Sequence, residues 1–140
     1  MSIQFTYKKP HSSDILAPFI EIIVKNPLRD AKISIIALVD TGYDWSVSIS
    51  EEDFFKIGLD EFELIEGDLS HAETYGGEKL SIRSAKAEII FPGLRISTID
   101  IIDAVKNAYE PLIGRKFLED YLASLNGKEK TFEIQYLSEE

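Results

Sequence analysis

Apolar and polar residues alternate along this chain in short spans interrupted by turn formers, a period-two pattern that predicts strands. Pro18 to Asn26 is rich in Ile and Val and closes on Asn26-Pro27, while Ala31 to Val39 follows the Arg29-Asp30 turn, so the two spans predict a hairpin. Phe62 to Ile65, a segment reaching Tyr75, Lys79 to Phe91 and Leu94 to Ile102 read as further strands, with breaks at Gly67, Gly76-Gly77 and Pro92-Gly93. Paired glycines accept positive φ, which makes Gly76-Gly77 a hairpin tip. Thr131 to Leu137 sets Phe132, Ile134 and Tyr136 against Glu133 and Gln135, a last strand after the Asn126-Gly127 turn. Two helices interrupt this pattern. Ser50 ahead of Glu51-Glu52-Asp53 and the apolar Phe54, Phe55 and Ile57 predicts a short capped helix ending at Gly58. Phe117, Leu118, Tyr121, Leu122 and Leu125 recur at helical spacing and predict an amphipathic helix from Arg115 to Leu125. The expected class is all-β.

With 140 residues, 44% of them hydrophobic, the chain is long enough for one domain with its own core. The formal net charge of -10 opposes a nonspecific grip on nucleic acid or anionic lipid, so neither is an expected partner. The absence of cysteine excludes disulfides, thiolate metal sites and thiol nucleophiles, and fits a reducing, cytoplasmic location. His11 and His71 are too few for a histidine-built metal site, so no metal or other cofactor is expected. Lys8, Lys9, His11 and Asp14 occupy the place of a signal peptide's apolar region, and Ser34 breaks the purest apolar stretch, so no secretion signal or membrane span is read.

The chemistry concentrates in Ala37-Leu38-Val39-Asp40-Thr41-Gly42, where an apolar strand ends in a carboxylate, a hydroxyl residue and a glycine. A buried strand end is costly ground for a charge, although Asp-Thr-Gly also suits an ordinary turn. A second element, Leu112-Ile113-Gly114-Arg115, stands before the helical pattern and the last strand. Together the two resemble the retropepsin-like aspartic proteases, the single-lobed family that includes retroviral proteases and related prokaryotic domains. In that family an apolar-apolar-Asp-Thr/Ser-Gly strand end is followed by a glycine-bearing flap hairpin and then an apolar-apolar-Gly-Arg-Asp/Asn segment. The resemblance covers about Ala31 to Ile134 of a single domain, with residues 1–30 as an N-terminal extension. Tyr43 stands where the family usually carries a small residue, and Lys116 replaces the usual Asp or Asn.

The resemblance implies a closed or nearly closed β-barrel with a short helix near the C-terminus, acting as an aspartic endopeptidase on a peptide or protein substrate. Such chemistry uses two carboxylates about 3 Å apart that share a proton. The 140 residues hold one Asp-Thr-Gly and no Asp-Ser-Gly, so the second carboxylate would come from a second copy in a homodimer. Asp40 would then be catalytic, Thr41 would hydrogen-bond across the dimer beneath the aspartates, and Gly42 would keep the backbone clear of the peptide. Asp44 would bind substrate backbone and pair with Arg115, next to Gly114, as structural support. Tyr75, Gly76 and Gly77 would form the flap over the substrate, while Trp45 would either line the groove or serve as a core or interface aromatic. The last strand, Thr131 to Leu137, would lie at the dimer interface as an unpaired edge. Two other classes stay open. An inactive relative would keep the fold and dimer as a peptide-binding or assembly module, and a phosphoaspartate enzyme would need a helix-rich frame and further acids for Mg²⁺.

Overall fold

The structure, a computed structural model, describes residues 2–9, 16–63, 71–73, 79–94, 96–105 and 110–136. Strands dominate it: β1 (Ser2–Thr6), β2 (Phe19–Lys25), β3 (Lys32–Val39), β4 (Val47–Ser50), β5 (His71–Glu73), β6 (Lys79–Phe91), β7 (Ile96–Val105), β8 (Leu112–Ile113), β9 (Tyr121–Asn126) and β10 (Thr131–Tyr136). Helix α1 (Glu51–Lys56) follows β4, and the four-residue α2 (Arg115–Leu118) follows β8. The strands form two sheets, β1-β10-β9 and β2-β3-β8-β4-β7-β6-β5. A further antiparallel pairing of β2 with β6, Ile23 opposite Ile90, returns the order of the larger sheet to its start.

The β2–β3 hairpin forms where the alternation places it, with Ile22 opposite Ile35 and Ile20 opposite Ala37. These four side chains are buried on one face, while Glu21 and Ile36 point outward. Asn26 closes the hairpin: its carboxamide oxygen accepts from Leu28 N at 2.9 Å, and its amide donates to Ile57 O at 2.9 Å. That fully buried side chain ties the turn to the end of α1. Helix α1 starts as expected, with Ser50 Oγ accepting from Asp53 N at 3.1 Å. The core gathers Ile20, Ile22, Val24, Ile35, Ala37, Val47, Ile49, Phe54, Ala87, Ile89, Ile102 and Ile113. The smaller sheet joins it through Phe132 and Ile134, with Phe5 stacked on Phe132 at 4.9 Å between ring centroids.

Four expectations are corrected. The helix predicted over Arg115 to Leu125 stops at Leu118, and Tyr121–Asn126 is strand β9. Phe117 and Leu118 are buried and Tyr121 stacks on Phe117 at 5.5 Å, but Leu122 and Leu125 are 53% and 56% exposed. The helical spacing was therefore incidental beyond one turn, and the hydrogen-bonding demand of β10 draws the segment into a hairpin instead. Second, β10 is not an edge, because β1 pairs along one side of it and β9 along the other. Third, Phe62 ends a 3₁₀ turn, Leu59–Phe62, rather than opening a strand. Fourth, the strand predicted from Leu94 starts at Ile96, after a 3₁₀ turn at Pro92–Leu94, and runs on to Val105. Strands β5 and β6 pair antiparallel with Glu73 opposite Lys79, while Tyr75, Gly76 and Gly77 lie outside the described residues, as does His11. No helix among the described residues is long and apolar enough to cross a membrane.

Candidate functional site

The two sequence elements meet because β8 lies between β3 and β4. Leu38 and Val39 pair in parallel with Leu112 and Ile113, and Val47 pairs with Ile113 from the other side. The loop 40–46 that joins β3 to β4 must therefore arch over the end of β8, where Gly114 sits. It is stitched there by backbone hydrogen bonds: Asp40 N donates to Ile113 O at 2.9 Å, Gly114 N to Ser46 O at 2.8 Å and Arg115 N to Tyr43 O at 2.8 Å. A Cβ on Gly114 would collide with the carbonyl oxygen of Trp45 and the ring of Tyr43, so the crossing itself requires glycine.

Asp40 stands partly exposed at the end of β3. Tyr43 N donates to its carbonyl at 3.1 Å, and Gly42 N donates to its carboxylate Oδ1 at 2.9 Å. The second bond is the local Asx-type contact of a tight turn, and it presents an oriented, charge-assisted acceptor at the surface. Thr41, Gly42, Asp44 and Trp45 are exposed around it, Trp45 at 57%. Trp45 is thus no core aromatic. The Arg115 guanidinium forms an ion pair with Asp44 across the seam between the two elements, with both side chains more than half exposed. Among the described residues no three His, Asp or Glu side chains gather as a metal-binding group.

Beneath the loop lies a polar row that the sequence motifs do not reveal. Ser48, Asp103 and Ser84 are lateral neighbours on β4, β7 and β6. Asp103 is buried, and its carboxylate accepts from Ser84 Oγ and from the Tyr43 hydroxyl, both at 2.8 Å. Beside it, Ser46 Oγ donates to Asp100 at 2.8 Å. Burial holds the Asp103 carboxyl above its ordinary range, against the hydrogen bonds from Ser84 and Tyr43 and the charge of Lys116, which pull it down. Burial and the neighbouring Asp103 push the Tyr43 phenol up, so it remains a donor. The only trace of this row in the sequence is a pair of aspartates, Asp100 and Asp103, inside the otherwise apolar Ile99–Val105 stretch.

The fold is similar to that of the EIAV protease complexed with the inhibitor HBY-793, with a TM-score of 0.50 over 74% of this chain and 86% of the protease chain. At 17% identity the likeness is one of fold. No protein-family model matches the sequence. Over 122 residues the chain is 30% identical to an uncharacterized protein of Archaeoglobus fulgidus, covering 84% of this chain and 92% of that protein. At that identity and coverage, the chain belongs to the same family as the Archaeoglobus fulgidus protein.

Proposed function

We propose that the protein is an aspartic endopeptidase that works as a homodimer, with a closed barrel in each subunit. The observation that carries the reading is the joint placement of Asp40-Thr41-Gly42 and Gly114-Arg115 at one seam, where Thr41, Gly42 and Arg115 are exposed and the Asp44–Arg115 ion pair links the two elements. The pairing of β2 with β6 supports the barrel, and the likeness to the EIAV protease supports the fold. Each chain supplies one Asp40, so the catalytic pair forms across a twofold axis. Water held between the two carboxylates gives a proton to the ionised one and attacks the peptide carbonyl, while the protonated partner donates a proton to the carbonyl oxygen. Thr41 holds the pair in register, Gly42 leaves room for the peptide backbone, and Asp44 receives substrate amides while Arg115 fixes it in place. By the family resemblance the flap role falls to Tyr75, Gly76 and Gly77, which lie outside the described residues.

The Gly42 to Asp40 hydrogen bond supports a second reading, in which Asp40 is only a turn residue and the dimer binds peptide or assembles without cleaving. Asp40→Asn separates the two, since asparagine keeps the turn but cannot act as base. The protease reading expects wild-type protein to cleave a mixed peptide library at acid pH and Asp40→Asn to be folded, dimeric and inert. Equal turnover by both, or none by a dimeric wild type, rejects it.

A further inference from the structure

Tyr43 is the residue by which this chain departs from the small side chain of the resembling proteases, and the structure gives it four attachments. Its carbonyl accepts from Arg115 N, its amide donates to Asp40 O, its ring lies against Gly114, and its hydroxyl donates to buried Asp103. Asp103 is in turn held by Ser84 on β6, so the phenol ties the exposed loop to the middle of the larger sheet. Thr41, Gly42, Asp44 and Trp45 are exposed, so apart from its backbone hydrogen bonds and the surface Asp44–Arg115 pair the loop is anchored to the sheet through Tyr43 and Ser46. Tyr43 is partly buried in that arch and Ser46, bound to Asp100, is buried.

From this geometry we infer that the Tyr43 hydroxyl and the Asp103 carboxylate form a positioning pair that sets the orientation of the Asp40 turn from below. The catalytic half of this inference rests on the aspartic-protease reading, while its structural half stands without it. Positioning matters because a carboxylate held within about 0.5 Å of its working place acts in the transition state, whereas one that wanders does not. Removing the hydroxyl leaves the ring against Gly114 and the loop's backbone bonds in place, so the effect falls on orientation rather than on substrate contact.

The test uses the full chain with Tyr43→Phe, Asp103→Ala, which takes away the acceptor altogether, and the double variant. Amide hydrogen exchange at Tyr43 and Arg115 should speed up at least tenfold in Tyr43→Phe relative to the buried strand amides of Ile22 and Ala87. The double variant should add little to either single one, because both remove the same contact. In hydrolysis, kcat should fall about tenfold to a hundredfold with KM within about threefold, the signature of a lost transition-state arrangement. Exchange that rises uniformly across loop and core, or effects that simply add, would overturn the pair as a positioning device. Loss of loop protection in a protein that cleaves nothing would keep the structural pair and reject the protease reading instead. Unchanged kcat in a wild-type-active enzyme whose loop has loosened would overturn the catalytic half.

Discussion

Replacing Gly114 by alanine tests whether the crossing of the two elements has been understood. The backbone there is extended, φ −103° and ψ −178°, so alanine meets no torsional barrier and its cost is steric alone. The new methyl group would press on the Trp45 carbonyl and the Tyr43 ring, and neither can retreat freely. The carbonyl belongs to backbone, and the ring is held by its bond to Asp103. Overpacking of this kind costs about 1–3 kcal/mol, and because the Cβ meets the backbone carbonyls of Trp45 and Tyr43 the cost here lies in the upper part, about 2–3 kcal/mol. Lower entropy of the unfolded chain returns about 0.4–1 kcal/mol. A net loss of about 1–2.5 kcal/mol lowers the midpoint of thermal unfolding by about 4–10 °C in a chain of this length. Gly127→Ala is the matched control, since a Cβ there meets nothing within 4 Å and should leave the midpoint unchanged or raise it. Calorimetry or circular dichroism on both variants decides. A Gly114→Ala protein that melts with wild type or above it would refute the account of the loop packed over β8.

Three other expectations follow from the same structure. A double-mutant cycle on Asp44→Ala and Arg115→Ala should give a stability coupling of at most about 1 kcal/mol, shrinking at high salt, because both side chains are exposed. A coupling of about 3 kcal/mol or more would mean a buried pair. Ile134→Ala, on the fully buried face of the central strand β10, should cost about 2–5 kcal/mol in urea unfolding. Leu125→Ala on exposed β9 should stay within about 0.5 kcal/mol, and equal costs would contradict the strand order. Because Asp103 is raised in the folded state, the native protein holds that proton more tightly than the unfolded chain. Its contribution to stability is therefore greatest below the ordinary carboxylate range and declines as pH rises through the folded value. The difference in unfolding free energy between wild type and Asp103→Asn should drift with pH in that sense, and a pH-independent difference would show the carboxyl to be unshifted.

The pieces whose cause is local were legible along the chain. Alternation in Phe19–Lys25 and Lys32–Val39 fixed a hairpin because one face of each strand must be buried, and Ser50 fixed the start of α1 because a helix needs its first amides capped. The two motifs were legible as residue patterns, and the resemblance they carry implied the pairing of Asp44 with Arg115 that the structure shows. What depended on distant partners was not legible. Strands β4 and β8 are too short, at four and two residues, to show a period, and they exist because β8 fits between β3 and β4. The same periodicity that suits a helix from Phe117 to Leu125 ends after one turn, because β10 offers β9 a row of backbone partners that a helix would leave unmet. Tyr43 read as an irregular residue in a familiar loop. Only the tertiary structure sets its hydroxyl against Asp103, since a contact across 60 residues is decided by which strands lie side by side and not by the residues that flank either partner.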